Sequence, residues 1–234
     1  MACGGRLLYT LASLFSIHIL MNRFGVVSGH TLGEILLGFG VVMTAYNIAE
    51  CFARGFDSFE KIIRQVQLDR LLVRPKPLVF QVICQDMRLA SFTNVLVGGA
   101  VIAHAVSISG IFWTVPKVLV LIAMVLCGSL LFFGAYLMFA ALCFLTLEGL
   151  EVMNIFTDGI REYSRYPYDV YGKGVLWLTA IVMPMALVQY WPLRYLMGTG
   201  PGWFGILPLL SLWFLIPCYA LWRLEVRHYR SAGS

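Results

Sequence analysis

Four histidines are the side chains best suited to hold a metal or move a proton near neutral pH. The chain scatters them as His18, His30, His104 and His228. No His-Glu-x-x-His stretch sets two of them on one helix face, as zinc hydrolysis requires. No Gly-x-x-x-x-Gly-Lys-Ser/Thr loop is present to cradle a nucleotide's phosphates, and no Gly-x-Ser-x-Gly elbow presents a serine nucleophile. The six cysteines, Cys3, Cys51, Cys84, Cys127, Cys143 and Cys218, form no Cys-x-x-Cys pair and mostly sit in or beside apolar runs, as small packing residues do. One acidic group remains: Glu148, Glu151, Asp158 and Glu162. Helical spacing sets Glu148 and Glu151 on neighbouring turns. An enzyme acting on lipids at a membrane surface would use such a group, but no metal-binding aspartate motif accompanies it.

A second set of polar residues is defined by its surroundings. Asn47, Glu50, Asn94, His104 and Gln189 interrupt stretches that are otherwise apolar. In hydrocarbon such groups are costly, and they mark either hydrogen bonds between helices or a substrate path. Both readings stand for Asn47, Asn94, His104 and Gln189. His104, within Ala-His-Ala, is the deepest ionisable group.

Those residues must be positioned by membrane spans. The 234 residues are 60% hydrophobic and 12% charged, against about 25% charged in soluble domains. Apolar runs cover about 7–22, 32–53, 91–113, 118–147, 174–191 and 203–222. A helix needs about 20 apolar residues to cross hydrocarbon. The runs lack the alternation of barrel strands. The expectation is an all-α integral membrane protein of six transmembrane helices in a single domain. The first run is the shortest and reads as an uncleaved span. The fourth is long enough to require tilt or a kink near Gly128 or Gly134.

Basic residues orient the set. With both termini in the cytoplasm, the inner segments hold fourteen lysines and arginines, and the outer loops hold only Arg23, Lys117 and Arg194. Cytoplasmic loops carry that excess. The formal charge of +5 therefore reflects orientation in a membrane and gives no reason to expect nucleic acid as a partner.

The longest polar stretch is the inner loop 54–90. Within it Phe56, Phe59, Ile62, Ile63, Val66 and Leu71 approximate one helical face. Asp57 and Glu60 resemble a capping box. Arg74-Pro75-Lys76-Pro77 ends the pattern, because proline disfavours helix before it. A short amphipathic helix near the inner membrane face is expected. The second inner loop, 148–173, holds Tyr163, Tyr166, Tyr168 and Tyr171, which fit an interfacial aromatic belt.

The stretch Ile62-Ile63-Arg64-Gln65-Val66-Gln67-Leu68-Asp69-Arg70-Leu71-Leu72-Val73-Arg74-Pro75, followed by Leu78-Val79-Phe80-Gln81-Val82, resembles the Leu-Asp-x-x-Leu-x-Arg-Pro … Phe-Gln-Val pattern of ABC-2-type transporter permeases. It is most similar to their six-span bacterial group. Further stretches agree in order: Gly29-His30-Thr31-Leu32-Gly33-Glu34, Tyr166-Pro167 with Val170-Tyr171-Gly172, Met183-Pro184-Met185-Ala186, and the ending Tyr229-Arg230-Ser231-Ala232-Gly233-Ser234. Two departures stand out. Six residues precede Leu7 where the family has a longer segment, and Gln67 stands where the family often has glycine.

The resemblance implies a permease subunit of an ATP-driven exporter in the bacterial cytoplasmic (inner) membrane. It would move its substrate by alternating access. No cofactor is expected on this chain. ATP and magnesium would sit on a separate ABC ATPase (nucleotide-binding) subunit, and a second permease copy, identical or related, would complete the membrane part. Enzymatic activity would belong to the partner. The resemblance assigns contact with the ATPase to the 56–74 segment and its Arg-Pro end. Asp69 and Arg74 would pair with partner charges, Leu68, Leu71 and Leu72 would fill a groove, and Pro75 would close the turn. The alternatives are a membrane-embedded lipid-modifying enzyme and an ion-coupled carrier, which would need more deeply buried acids.

Overall fold

Thr31 starts the central helix. Its side-chain oxygen accepts from the Glu34 N–H at 3.5 Å, and the Glu34 carboxylate accepts from the Thr31 N–H at 3.4 Å. This reciprocal capping box satisfies two orphan donors and launches α1, Leu32–Asp57, of 26 residues. In the computed structural model, the described residues are 12–19, 23, 30–65, 67–87, 91–144, 157–164, 166 and 168–229. Parts of the first expected span, Val66, Glu148, Glu151 and the last five residues lie outside them. Residues 12–19 are helical.

Three further long helical stretches surround α1. Around it, 89% of the apolar stretch is buried, against 28% for α5 (Ser91–Ile108) and 44% for α6 (Val115–Leu142). A helix apolar all round can face lipid or other helices, and α1 is the one that other helices enclose. Small residues let α5 approach it. A Cβ on Gly33 would meet Ser109, one on Gly40 would meet Ile102, and one on Gly98 would overlap Thr44. As the α1 number rises the α5 number falls, so the two helices run antiparallel along their whole length. Close packing of this kind is what joins helices in lipid, where hydrophobic burial gives no drive.

On the other side α6 runs parallel to α1. Gly128 packs on Ala45, Tyr46 meets Phe132 edge-on at 5.3 Å, and Phe59 meets Phe144 at 5.3 Å. Pro116 sits in the first turn of α6, where its missing N–H costs nothing. The 28 residues span about 42 Å at 1.5 Å per residue, more than the roughly 30 Å hydrocarbon layer. Gly128 and Gly134 are contact points for Val188 and Leu215 within this unbroken helix.

The last stretch, Gly202–His228, is apolar and long enough to cross a membrane. It runs as the 3-10 turn Gly202–Ile206, α10 (Leu207–Leu210), a second 3-10 turn Ser211–Phe214 and α11 (Leu215–His228). Pro208 and Pro217 remove two ladder donors within it.

The fifth expected span, 174–191, is not one straight helix. Lys173–Ile181 (α7) and the pair Met185–Val188 (α8) and Tyr190–Leu196 (α9) meet at a bend of 93°. Pro184 sits at the break with the chain turned out of helix. Among the described residues four helical stretches are long and apolar enough to cross a membrane, and five if the bent pair is one span.

The loop after α1 also differs from one continuous amphipathic helix. It divides into α2 (Phe59–Arg64), α3 (Gln67–Leu72) and α4 (Leu78–Gln85). Ser58 is the N-cap of α2 and makes no side-chain cap bond. Glu60 instead accepts from Arg64 at 2.6 Å one turn on. The apolar face is present, but it turns inward: Phe56, Phe59 and Leu68 are fully buried and Ile62 nearly so. Tyr168 also departs from the interfacial belt. It is fully buried, its hydroxyl bonded to that of Ser164, while Tyr163 and Tyr171 pair outside it.

Candidate functional site

The loop 54–85 is seated on an aromatic cluster. Trp222 of α11 lies 5.5 Å from Phe56 and 5.1 Å from Phe59, and Phe144 bridges Phe59 and Tyr229. Phe56 also meets Phe133 of α6 at 5.6 Å. Edge-to-face pairs of this kind contribute about 0.5–1.5 kcal/mol each beyond their buried area. The C-terminal ends of α1, α6 and α11 therefore converge on one end of the molecule, and the loop closes over them.

Above that cluster α3 turns Leu68 and Leu71 inward. Asp69 engages Tyr229; burial first, and then the neighbouring carboxylate, hold the Tyr229 hydroxyl above its ordinary value. Three of the expected partner contacts are thus already occupied within this chain: Leu68 and Leu71 by burial, Asp69 by Tyr229. What the loop presents outward is its apex. Leu72 is 42% and Val73 85% exposed, and Arg74, Pro75 and Lys76 are exposed beside them.

The apex is fastened from behind. Gln81 of α4 is buried, and its Nε2 donates to the Leu71 carbonyl at 3.0 Å and the Lys76 carbonyl at 2.8 Å. One residue on, the Val82 carbonyl lies so close to Gly55 of α1 that any Cβ there would overlap it. Glycine is the residue that permits such backbone approach. The apex, α4 and the central helix are thereby joined through short contacts.

The intramembrane polar residues divide. Asn47 is buried on α1 and donates to its own helix at Met43 O, 2.7 Å away. The antiparallel register sets buried Asn94 of α5 level with it. One turn nearer the loop, Ser91 donates to Glu50 at 3.3 Å. Gln189, between α8 and α9 at the bent pair, donates to Ser164 O at 2.9 Å and lies against Gly38. The Asn94 Oδ1 and Gln189 Oε1 acceptors are buried without a partner among the described residues. His104 is not brought to this group. It is exposed on α5 and lines an outward groove with His18, Phe15 and Val97.

A further network was not evident in the sequence. Tyr46 of α1 donates to Asp158 at 3.1 Å and meets the hydroxyl of Tyr136 at 3.5 Å. Arg161 reaches Asp158 at 3.3 Å and Glu162 at 3.5 Å, and its guanidinium stacks 4.7 Å over the Tyr46 ring. The helical residues 157–163 are thus tied to α1 by a hydrogen bond and by a cation over the Tyr46 ring. Asp158 and Glu162 had signalled an acidic group; the structure spends them on Arg161. Only the regular spacing of Asp158, Arg161 and Glu162 hinted at this, and nothing pointed to Tyr46.

Among the described residues the elements are helical, and four or five stretches are long and apolar enough to span a bilayer, as in a multi-pass membrane protein. A family model described as "ABC-2 family transporter protein" matches residues 7–233, and the chain belongs to that family. It is an ABC transporter permease, and membership implies an ABC ATPase as its partner and a membrane as its setting. No curated protein and no solved structure matches the chain.

Proposed function

We propose that the chain is the membrane subunit of an ATP-driven exporter in a bacterial inner membrane. It works beside a second permease copy and is powered by ATP and magnesium held on separate ATPase subunits. All six apolar runs cross the bilayer, with both termini and loops 54–90 and 148–173 in the cytoplasm. The observation that carries the reading is the apex of Leu72, Arg74 and Pro75. It is exposed at the end where α1, α6 and α11 converge, and Gln81 and Gly55 tie it to the central helix.

Force applied at the apex by a closing ATPase pair would reach α1 without a soft joint. A shift of α1 would move everything packed on it, because packed interfaces switch between discrete arrangements more readily than they deform. Asn94 and Gln189 are then the polar wall of the substrate path, each with an acceptor oxygen that no described residue engages, and Asn47 stands level with Asn94. His104, on the outward face, would meet substrate only at the lipid side.

Arg74→Glu tests the coupling. Asp69 is a poorer target, because its reversal would also break the contact with Tyr229. The variant should insert normally and keep its helical content, while the ATPase recovered with it falls about tenfold, a loss of about 1.4 kcal/mol. Unchanged recovery would reject the assignment of Arg74 to the partner contact.

A further inference from the structure

The outward stripe of α11 changes character along its length. Cys218, Trp222 and Glu225 are buried and turn toward the bundle. At 3.6 residues per turn, Ile216, Ala220, Arg223 and Arg227 fall on the opposite side. Ile216 is 72% and the neighbouring Tyr219 54% exposed, and Ala220, Arg223 and Arg227 are exposed with them. Together they line a groove of about 620 Å³ that ends at His228. Among the described residues no ion pair engages Arg223 or Arg227. The one acid of this helix, Glu225, is on the buried side.

The stripe is apolar first and basic after. At 1.5 Å of rise per residue, Ile216 and Arg227 lie about 16 Å apart along the axis, close to half of the roughly 30 Å hydrocarbon layer. The apolar part therefore has the depth of a single leaflet, and the cations stand where that leaflet's headgroups begin. A neighbouring protein on this stripe would have to bury two guanidiniums and supply their counter-charge. A second copy of this chain, related by a two-fold axis along the membrane normal, would set Arg223 against Arg223.

We infer that this stripe is a binding site for an anionic phospholipid from the leaflet on the loop side of the bundle. An acyl chain lies along Ile216, Tyr219 and Ala220, and the phosphate is held between Arg223 and Arg227. A guanidinium pairs with phosphate through two parallel hydrogen bonds, and basic clusters at the membrane ends of helices hold anionic headgroups in this way. The site also bears on the loop. Trp222, next to Arg223, packs on Phe56 and Phe59, so a lipid held at Arg223 steadies the helix end on which loop 54–85 is seated.

The full-length chain, with any subunits that accompany it, is moved from detergent into mixed micelles holding equal phosphatidylglycerol and phosphatidylcholine, and native mass spectrometry reads the lipid it retains. Both lipids carry a phosphate, but choline cancels the charge of one. Phosphatidylglycerol should be retained at least fivefold over phosphatidylcholine. Arg223→Gln/Arg227→Gln should bring the two to parity, and Arg223→Lys/Arg227→Lys should restore part of the preference. Lys61→Gln/Arg70→Gln, which neutralises two exposed cations outside the groove, should leave it in place. Equal retention of the two lipids by the unaltered chain would overturn the site, and so would an equal loss of preference in the two glutamine variants, which would reduce it to overall charge. A photo-reactive Tyr219→benzoylphenylalanine should give a phosphatidylglycerol adduct. A cross-link between two copies of the chain in its place would give the stripe to a second permease and overturn the lipid assignment.

Discussion

Arg161 shows how one side chain can fix an element in place. It satisfies Asp158 and Glu162 and covers the Tyr46 ring at once, so helical residues 157–163 cannot swing away from α1 without exposing a charge. A cation over an aromatic face contributes about 0.5–2 kcal/mol, more where water is excluded. Arg161→Ala should lower stability by about that amount, read as a fall in thermal midpoint in detergent. Arg161→Lys should recover only part of it, since an ammonium cannot stack as a flat guanidinium does. At the loop, Gln81→Leu removes two hydrogen bonds that contribute about 0.5–1.5 kcal/mol each. Faster hydrogen exchange confined to residues 71–81 is the expected signature, with the rest of the protein unchanged.

At the scale of elements, two joints matter most. Gly55 is where α1 and α4 touch backbone to backbone, and a larger residue there must push α4 outward. Overpacking of this kind costs about 1–3 kcal/mol. Gly55→Leu should lower the thermal midpoint accordingly and make Cys84 label at a different rate, since α4 carries both. Trp222 joins α11 to Phe56, Phe59 and Phe144. Trp222→Ala should cost about 3–5 kcal/mol and free the loop from the bundle, which limited proteolysis near residues 65–76 would detect. The helices themselves were readable because their apolar runs are long, whereas the capping box at Thr31 and Glu34 emerged only with the fold. The bend at residues 182–184 was hidden, since hydropathy averages across a break and Pro184 alone does not fix an angle. The division of the 56–74 segment into α2 and α3 was hidden for a related reason: an apolar face at helical spacing persists when a helix is cut into pieces that pack on the same cluster. That same face gave no sign of which surface it covers, so Leu68 and Leu71 read equally well as partner contacts and as core.

The whole molecule is organised around one buried helix. α5 runs against α1, while α6 and α11 run with it, so one end gathers the loop 54–85, Phe144 and Tyr229. Membership in the ABC-2 family over residues 7–233 was legible from the order of several motifs along the chain, while the tie between Tyr46 and Arg161 needed the fold, because the partners are far apart in sequence. A reporter active only in the cytoplasm should work when fused after Ser234 and fail when inserted at Gly198; the reverse pattern would invert the orientation. If this subunit works through a separate ATPase, the two must come out of the membrane together. The chain is extracted from its native membrane in mild detergent under an affinity tag, and the subunit ratio is read by native mass spectrometry. One ATPase subunit is expected for each copy of this chain, with two of each in the particle. Recovery of the intact chain alone, or as an assembly holding no ATPase, would contradict it.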